Sequence, residues 1–186
     1  GIDLPSLLGF GMEAHAELLT QTKQFCGCAN EPLSPPNTNV CPVCLGFPGS
    51  LPVLNKTGVD LALRTVLAFD SKINARNYFE RKNYFYPDIP KGYQISQYKR
   101  PLVSGGELAG IKLTRIHLEE DAGKSIHDMD DHFTFLDYNR AGTPLIEIVT
   151  EPDIRSADEA FAFLTEIRKL VRWIGVCDGN MEEGSL

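Results

Sequence analysis

The sequence lacks the features that mark membrane and secreted proteins. Its 186 residues contain no run of about 18 uncharged apolar residues, so we expect no membrane-spanning helix. The first residues, GIDLPSLLGF, carry no basic group before their short apolar run, which argues against a secretory signal. We found no internal repeat or low-complexity tract.

The sequence also lacks an excess of basic residues. It has 18 Lys and Arg against 25 Asp and Glu, a formal net charge of −7. A protein that clamps a long nucleic-acid backbone normally has a basic surface, so this class is disfavoured. Contact with only the end of a nucleic acid, or cations in a pocket, remain compatible. The phosphate-binding patterns GxGxxG and GxxxxGK[ST] are absent, which disfavours the Rossmann and P-loop classes.

The five cysteines do not fit a secreted disulfide framework, because their number is odd and four fall between residues 26 and 44. Cys26, Cys28, Cys41 and Cys44 form two close pairs, which is typical of a structural zinc site that closes a loop. Four free cysteines or two disulfides are the alternatives, although a CxC disulfide is cramped. For the distant Cys177 we expect the role of a small buried hydrophobic residue.

The order of predicted elements favours an α+β fold with a largely antiparallel sheet over a doubly wound one. Alternation predicts strands at residues 7–19, 109–120, 132–138 and 144–150, and short strands with loops over 72–103. Apolar residues at helical spacing predict helices from Gly58 to Phe69 and from Ser156 to Gly175. A turn is expected at Gly105-Gly106. Residues 26–52 are expected to form turns and the cysteine knuckle.

Acidic residues interrupt the predicted strands. In GMEAHAEL, Glu13, His15 and Glu17 share one strand face. Glu147 stands between Ile146 and Ile148, where a buried carboxylate costs several kcal/mol unless it has a partner. A strand with one wet face is the alternative, and Glu147 alone favours it.

A third segment, RIHLEED, strengthens the case for a metal site. It places Arg115, His117 and Glu119 on one face, with Ile116, Leu118 and Glu120 on the other. Three strands with such carboxylates suggest an oxygen-rich site for Mg²⁺, with Mn²⁺ also accommodated if His15 binds.

A basic and aromatic segment runs from Phe79 to Tyr98. Its cations could neutralise phosphates and its rings could stack a base, although it could equally be a core-lining hairpin with solvated lysines. Beside an acidic metal cluster it fits a nucleotide pocket. The candidates for phosphate, ATP or substrate binding here are Arg81, Lys82, Tyr84, Lys91 and Gln94.

Six stretches resemble the B subunit of the tRNA-dependent glutamyl/aspartyl-tRNA amidotransferase and its archaeal E-type relative. They are GMEAHAEL, CPVCLGFPGSLPVLNK, FERKNYFYPDIPKGYQISQY, RIHLEEDAGKSIHD, DYNRAGTPLIEIVTEPDIRS and GNMEEGSL, and they span nearly the whole chain. This chain has GMEAH where the family usually has GLEVH, and the four cysteines are missing from some members.

The resemblance implies an ATP-dependent carbon–nitrogen ligase of translation. It would phosphorylate the side-chain carboxylate of Glu-tRNA(Gln) or Asp-tRNA(Asn), and ammonia would then displace the phosphate. It also implies a glutaminase (amidase) A subunit that delivers ammonia through a tunnel, a small C subunit, the acceptor end of misacylated tRNA as a partner, and a bacterial-type cytoplasmic location. The implied fold is a cradle like that of glutamine synthetase and guanido kinases.

The resemblance also implies functional residues. Family metal ligands and catalytic residues map to Glu13, His15, Glu120 and Glu147, with Glu119 a near neighbour; Arg140 joins the phosphate candidates. The implied cofactors are ATP, Mg²⁺ or Mn²⁺, and structural Zn²⁺. We interpret residues 1–186 as the N-terminal part of the catalytic domain, without the helical and tail domains, and expect no activity from it alone. The alternative is a non-catalytic zinc-knuckle module for RNA binding or assembly.

Overall fold

A computed structural model describes residues 9–182 and 184–186. Within these residues the helices are α1 (Lys56–Leu67) and α2 (Ala157–Trp173). The strands are β1 (Glu13–Glu17), β2 (Lys72–Ile73), β3 (Glu80–Asn83), β4 (Tyr93–Ser96), β5 (Val103–Ser104), β6 (Glu107–Leu108), β7 (Ile111–Glu120), β8 (Lys124–Ile126), β9 (Phe135–Asp137) and β10 (Pro144–Thr150). The predicted strand at 7–19 is shorter, and its residues 7 and 8 lie outside the described part.

The main sheet has the order β1-β10-β7-β5-β2, with β6 added beside β7. Every strand pair in it is antiparallel, and β3–β4 and β8–β9 form two separate antiparallel hairpins. This confirms the prediction of an α+β fold with an antiparallel sheet. The central strand β10 lies between β1 and the long strand β7, so it brings together segments more than 100 residues apart.

One face of the sheet is apolar because the strands alternate. Ala16, Ile116, Ile146 and Ile148 on this face are fully buried. Helices α1 and α2 add their own apolar residues to the same core cluster, among them Val66, Phe163 and Ile167. The helices therefore cover one face, and the polar residues of β1, β7 and β10 are left on the other.

Both predicted helices are present, and their capping explains their bounds. The Ser156 hydroxyl accepts a hydrogen bond from the Glu159 N–H at 3.2 Å, as expected for an N-cap. The Glu159 carboxylate accepts from the Arg155 N–H at 2.7 Å, so the capping box reaches one residue further out than the usual pattern. Helix α1 begins at Lys56 rather than Gly58, because the Asn55 side chain caps it.

Two short strands, β6 and β8, were not predicted, since two or three residues are too few for alternation to be visible. Residues 26–52 contain turns and no named helix or strand, as expected. Cys177 is 1% exposed and packs in the core, which confirms its structural role. Among the described residues, no helix combines the length and apolar character needed to cross a membrane.

The packing of α2 predicts that replacing two phenylalanines, two residues apart, lowers the free energy of unfolding by different amounts. Phe163 is 1% exposed and Phe161 is 74% exposed. We expect Phe163→Ala to lower the free energy of unfolding by about 3–5 kcal/mol, because it leaves a cavity in the core. Phe161→Ala is the matched control and should change it by about 0.5 kcal/mol or less. Urea unfolding followed by circular dichroism measures both, and equal losses would contradict this placement of α2.

Candidate metal and anion site

The polar face of the sheet carries three rows of side chains across β1, β10 and β7. The middle row is His15, Glu147 and His117, which are direct neighbours in the strand register. One flanking row joins Glu13 to Arg115 across Val149, and the other joins Glu17 to Glu119 across Leu145. Alternation predicted which residues share a face, and the antiparallel register adds which of them are neighbours.

A compact carboxylate–imidazole cluster forms where these rows meet. His15 Nε2 lies 3.4 Å from Glu147 Oε2 and 3.6 Å from Glu119 Oε1. His117 Nε2 lies 3.2 Å from Glu147 Oε2 and 3.4 Å from Glu119 Oε2. One ligand atom from each of His15, Glu119 and Glu147 falls within 4.8 Å of the others, so these three could hold one metal ion. Mg²⁺ prefers oxygen ligands, so two carboxylates and an imidazole would hold it only with water molecules completing its coordination. Mn²⁺ accepts both carboxylate and imidazole ligands and fits this donor set well.

The electrostatics of the cluster depend on the burial of its carboxylates. The side chains of Glu119 and Glu147 are 2% and 6% exposed, and no Lys or Arg of the described residues lies within 4 Å of either. Burial opposes the charged form of Glu147, but the contacts with His117 and His15 outweigh it and hold the pKa of Glu147 below its ordinary value. The Glu147 carboxylate in turn raises the pKa of His15, against the effect of burial. For His117, burial is likewise outweighed by Glu119 and Glu147, so its pKa is raised.

Glu120 does not join this cluster, although the resemblance mapped a metal ligand to it. Its carboxylate forms an ion pair with Lys91 and accepts a hydrogen bond from the Ile95 N–H at 3.0 Å. Neighbouring strand residues point to different sides, so only one of the Glu119–Glu120 pair can reach Glu147. Burial raises the pKa of Glu120, and Lys91 opposes that rise. The structure therefore brings Glu119, rather than Glu120, beside His15 and Glu147.

The β3–β4 hairpin packs against the end of β7 beside the cluster. Ser96 Oγ donates to Glu119 Oε2 at 3.0 Å, and Gln97 Oε1 accepts from the Leu118 N–H at 3.1 Å. The Gln94 amide donates to the Glu120 carbonyl. These side chains occupy the edge of β7 beyond the point where β5 ends, and so they hold the hairpin in place.

A cavity of about 420 Å³ lies between the hairpin and the polar face. Arg81 and Lys82 line it from β3, opposite Glu13, His117 and Glu147. Glu13 thus shares the cavity without belonging to the three converging ligands. Both predicted cations lie over aromatic rings, Arg81 at 4.4 Å from the Tyr93 centroid and Lys82 at 5.9 Å from Tyr84.

Other predicted residues have different surroundings. Burial raises the pKa of Tyr84 to about 12.

Arg140 holds the turn after β7. It donates to the carbonyls of Ala122 and Gly123 at 3.1 and 2.9 Å and lies 3.5 Å from Asp121. It lines a separate cleft of about 840 Å³ together with Glu17. Burial, and then Asp121, raise the pKa of Glu17 to about 8.

The four clustered cysteines converge at a second place. All five cysteines are free, and the Sγ atoms of Cys26, Cys28, Cys41 and Cys44 lie within 4.8 Å of one another. Cys41 and Cys44 have an Sγ–Sγ separation of 3.9 Å. Tetrahedral zinc with Zn–S bonds of about 2.3 Å requires sulfurs about 3.8 Å apart. The donor set therefore fits zinc, and it leaves no open position for a substrate.

A buried lysine lies against this cysteine cluster. Lys23 is 0% exposed. Its ammonium donates to the carbonyls of Asn39 and Tyr138 at 2.7 and 3.2 Å and lies 3.6 Å from Cys44 Sγ. The pKa of Cys44 is lowered to about 4 despite burial, mainly by the contact with Cys26 and further by the Cys41 N–H and the Lys23 charge. Lys23 thus joins the knuckle to the segment before β10.

Sequence reasoning missed His117 and Lys23 as site residues. The pattern RIHLEED already placed His117 on the face of Glu119, so the period-two alternation could have identified it. Nothing in the neighbourhood TQTKQF distinguishes Lys23 from a solvated lysine, because the groups that bury it come from residues 39, 44 and 138.

Comparisons with known proteins agree over nearly all of the chain. Residues 8–186 match the family described as "GatB/GatE catalytic domain". The B subunit of an aspartyl/glutamyl-tRNA(Asn/Gln) amidotransferase from Thermodesulfovibrio yellowstonii is 55% identical over 184 residues, covering 95% of this chain and 38% of the relative. The protein of that name from Anaeromyxobacter sp. (strain Fw109-5) is 56% identical over 183 residues, covering 94% and 38%. The chain thus spans about 38% of the length of these relatives.

The Lys91–Glu120 pair predicts a large stability effect, because the two side chains are 9% and 4% exposed. Lys91→Met leaves a buried carboxylate without its cation, so we expect a loss of about 3–5 kcal/mol in the free energy of unfolding. The double variant Lys91→Met/Glu120→Gln should recover most of it, since the amide oxygen still accepts from Ile95. Lys169→Met, which breaks the exposed pair with Glu166, is the control and should cost about 0.5 kcal/mol or less. Denaturant unfolding measures all three, and a loss for Lys91→Met no larger than the control would contradict the burial of the pair.

Proposed function

The chain belongs to the family of GatB/GatE catalytic domains, and from this we propose that it forms part of the site where misacylated tRNA is amidated with the use of ATP. The substrate would be Glu-tRNA(Gln), Asp-tRNA(Asn) or both. A side-chain carboxylate oxygen attacks the γ-phosphorus of ATP, the bond to the bridging oxygen breaks, and ADP leaves. Ammonia then attacks the acyl carbon, releasing inorganic phosphate and a proton and leaving the amide.

The observation that carries this proposal is the cluster of His15, Glu119 and Glu147, in which both carboxylates are buried and His15 is partly exposed. The two carboxylates are almost fully buried, and their partners are the two imidazoles and, for Glu119, the Ser96 hydroxyl. The cluster therefore concentrates negative charge that a divalent cation would neutralise. Mg²⁺ held there would supply charge neutralisation for ATP phosphates. His117, with its Nε2 beside both carboxylates, would keep them oriented.

The cavity beside the cluster provides the second requirement, cationic groups for the nucleotide. Arg81 and Lys82 line it from β3, and Glu147 of the cluster lines it together with Glu13 from the sheet. Phosphoryl transfer depends mainly on positioning and on electrostatic stabilisation of the moving charge, and this arrangement supplies both. The sheet would then be one side of a cradle like that of glutamine synthetase, completed by other parts of the full-length protein.

The same proposal includes partners. An amidase subunit would release ammonia from glutamine, a small third subunit would join the two, and the acceptor end of tRNA would enter the site in the cytoplasm. The acidic net charge of this chain agrees with contact limited to the tRNA end. A purely RNA-binding or assembly module is less favoured, because such a module has no use for two carboxylates buried beside imidazoles.

We also propose that the four cysteines bind one structural zinc. The zinc would close the 26–44 loop, which hydrogen bonds from Asn37 and Asn39 to Asp137 and Asn139 already join to the segment before β10. Its contribution would be to the shape of the domain, since four thiolates leave no coordination position for a reaction.

The role of Glu147 can be tested in the full-length protein within its complete assembly. Glu147→Gln removes one charge from the cluster with little change of shape. We expect ATP-dependent amide formation to fall by on the order of 100-fold or more, since even outer partners of metal ligands cost 10–100-fold. An ammonium salt as nitrogen source removes the glutaminase step from the measurement. Glu107→Gln, on the exposed β6, is the matched control and should keep full activity. Full activity in Glu147→Gln would overturn the proposal.

The zinc proposal has its own test. Elemental analysis of the purified protein should find one equivalent of zinc, and Cys41→Ser should lose it. Limited proteolysis should then cut within residues 26–44 while the sheet retains its circular dichroism. Cys177→Ser, outside the cluster, should keep its zinc. A zinc-free protein whose 26–44 loop resists proteolysis would contradict the proposal.

A further inference from the structure

Strand β7 contributes an arginine, Arg115, to the polar face of the sheet. It lies two residues before His117 on the same face and pairs with Val149 in the register. It lines the 420 Å³ cavity together with Arg81, Lys82 and Glu147. No residue pattern singled it out for phosphate binding, because an arginine on a polar strand face is ordinarily a solvated one.

The partners of Arg115 differ from those of a structural arginine. Among the described residues, no carboxylate oxygen lies within 4 Å of its guanidinium, so it forms no ion pair there. Its Nε is buried and has no hydrogen-bond partner among those residues. Buried donors are nearly always paired in folded proteins, so the unpaired Nε shows that the interactions of Arg115 within the described residues are incomplete.

The ring of Tyr98 lies against this guanidinium. The Arg115 Cζ lies 5.3 Å from the centroid of the Tyr98 ring, within the range of a cation–π contact. A guanidinium stacked on a ring keeps its N–H edges available, and two parallel N–H groups match two oxygens of a phosphate. The ring itself is 69% exposed, so Tyr98 shields one side of the arginine without filling the cavity.

We propose that Arg115 binds the phosphate chain of the nucleotide and directs its terminal phosphate towards the His15–Glu119–Glu147 cluster. This inference rests on the proposed function and names a residue for it. Arg81, Lys82 and Arg115 are the three cations that line the cavity, and the carboxylates of Glu13, Glu80 and Glu147 line it as well. Such a mixed lining suits a triphosphate that carries a divalent cation, because cations can pair with its phosphate oxygens and carboxylates with its metal ion. Arg115 would contact the nucleotide directly, so it would act as a binding residue.

The test uses the full-length protein in its complete assembly, with ammonium salt as nitrogen source. Arg115→Met should raise the KM for ATP about 10- to 100-fold, the range expected when a hydrogen-bonded charge is lost. Arg115→Lys should recover part of this loss, because an ammonium keeps the charge but not the two parallel N–H groups. The KM for the aminoacyl-tRNA should change less than about twofold. Arg76→Met, at an exposed position outside the cavity, is the matched control.

Three outcomes separate the hypotheses. If the KM for aminoacyl-tRNA rises and that for ATP does not, Arg115 binds the acceptor carboxylate and the phosphate assignment is overturned. If neither rises, the inference fails while the proposed function stands, provided that Glu147→Gln is inactive. If the unchanged assembly forms no amide with ATP, the proposed function itself fails.

A second variant keeps the test decisive if Arg115→Met does not fold. Tyr98→Leu removes the exposed ring and leaves the core untouched. It should raise the KM for ATP by about threefold to tenfold, since an exposed cation–π contact is weaker than the phosphate contact it supports. An unchanged KM for ATP in both Tyr98→Leu and Arg115→Lys would overturn the proposal.

Discussion

The burial of Glu147 in the central strand is the constraint around which the polar half of the molecule is arranged. A carboxylate between Ile146 and Ile148 must have partners, because an isolated buried charge costs several kcal/mol. The antiparallel register supplies one from each neighbouring strand, His15 on β1 and His117 on β7. The row His15–Glu147–His117 therefore both satisfies the buried carboxylate and joins three strands that are distant in sequence.

The apolar face and the polar face of the sheet serve different purposes. Helices α1 and α2 bury the apolar face, and this packing supplies the stability that allows charged groups to be held on the other face. Beside the polar face, the β3–β4 hairpin is held by side-chain hydrogen bonds: Ser96 donates to Glu119, and Gln97 accepts from the Leu118 N–H. This arrangement leaves a cavity lined with both cations and carboxylates, and the proposed nucleotide site rests on that lining.

Three cations of the molecule, Lys23, Lys91 and Arg115, illustrate two kinds of arrangement. Lys91 is paired with Glu120, and Lys23 is held by two carbonyls and Cys44, so both are satisfied within the chain. Arg115 has an aromatic ring but no anion among the described residues, and its Nε is an orphan. Partners within the chain therefore distinguish Lys23 and Lys91, whose charges are satisfied, from Arg115, whose Nε is not.

Local pattern in the sequence determined the elements and the faces: alternation placed Glu13, His15 and Glu17 together, helical spacing placed Phe163 in the core, and the two cysteine pairs indicated a knuckle. These properties depend on neighbours along the chain, so periodicity reveals them. The tertiary structure alone decided that Glu119 rather than Glu120 meets His15 and Glu147, and that Arg140 holds a turn. Those outcomes follow from strand register and from which distant segment packs against β7, and neither leaves a trace in local residue order.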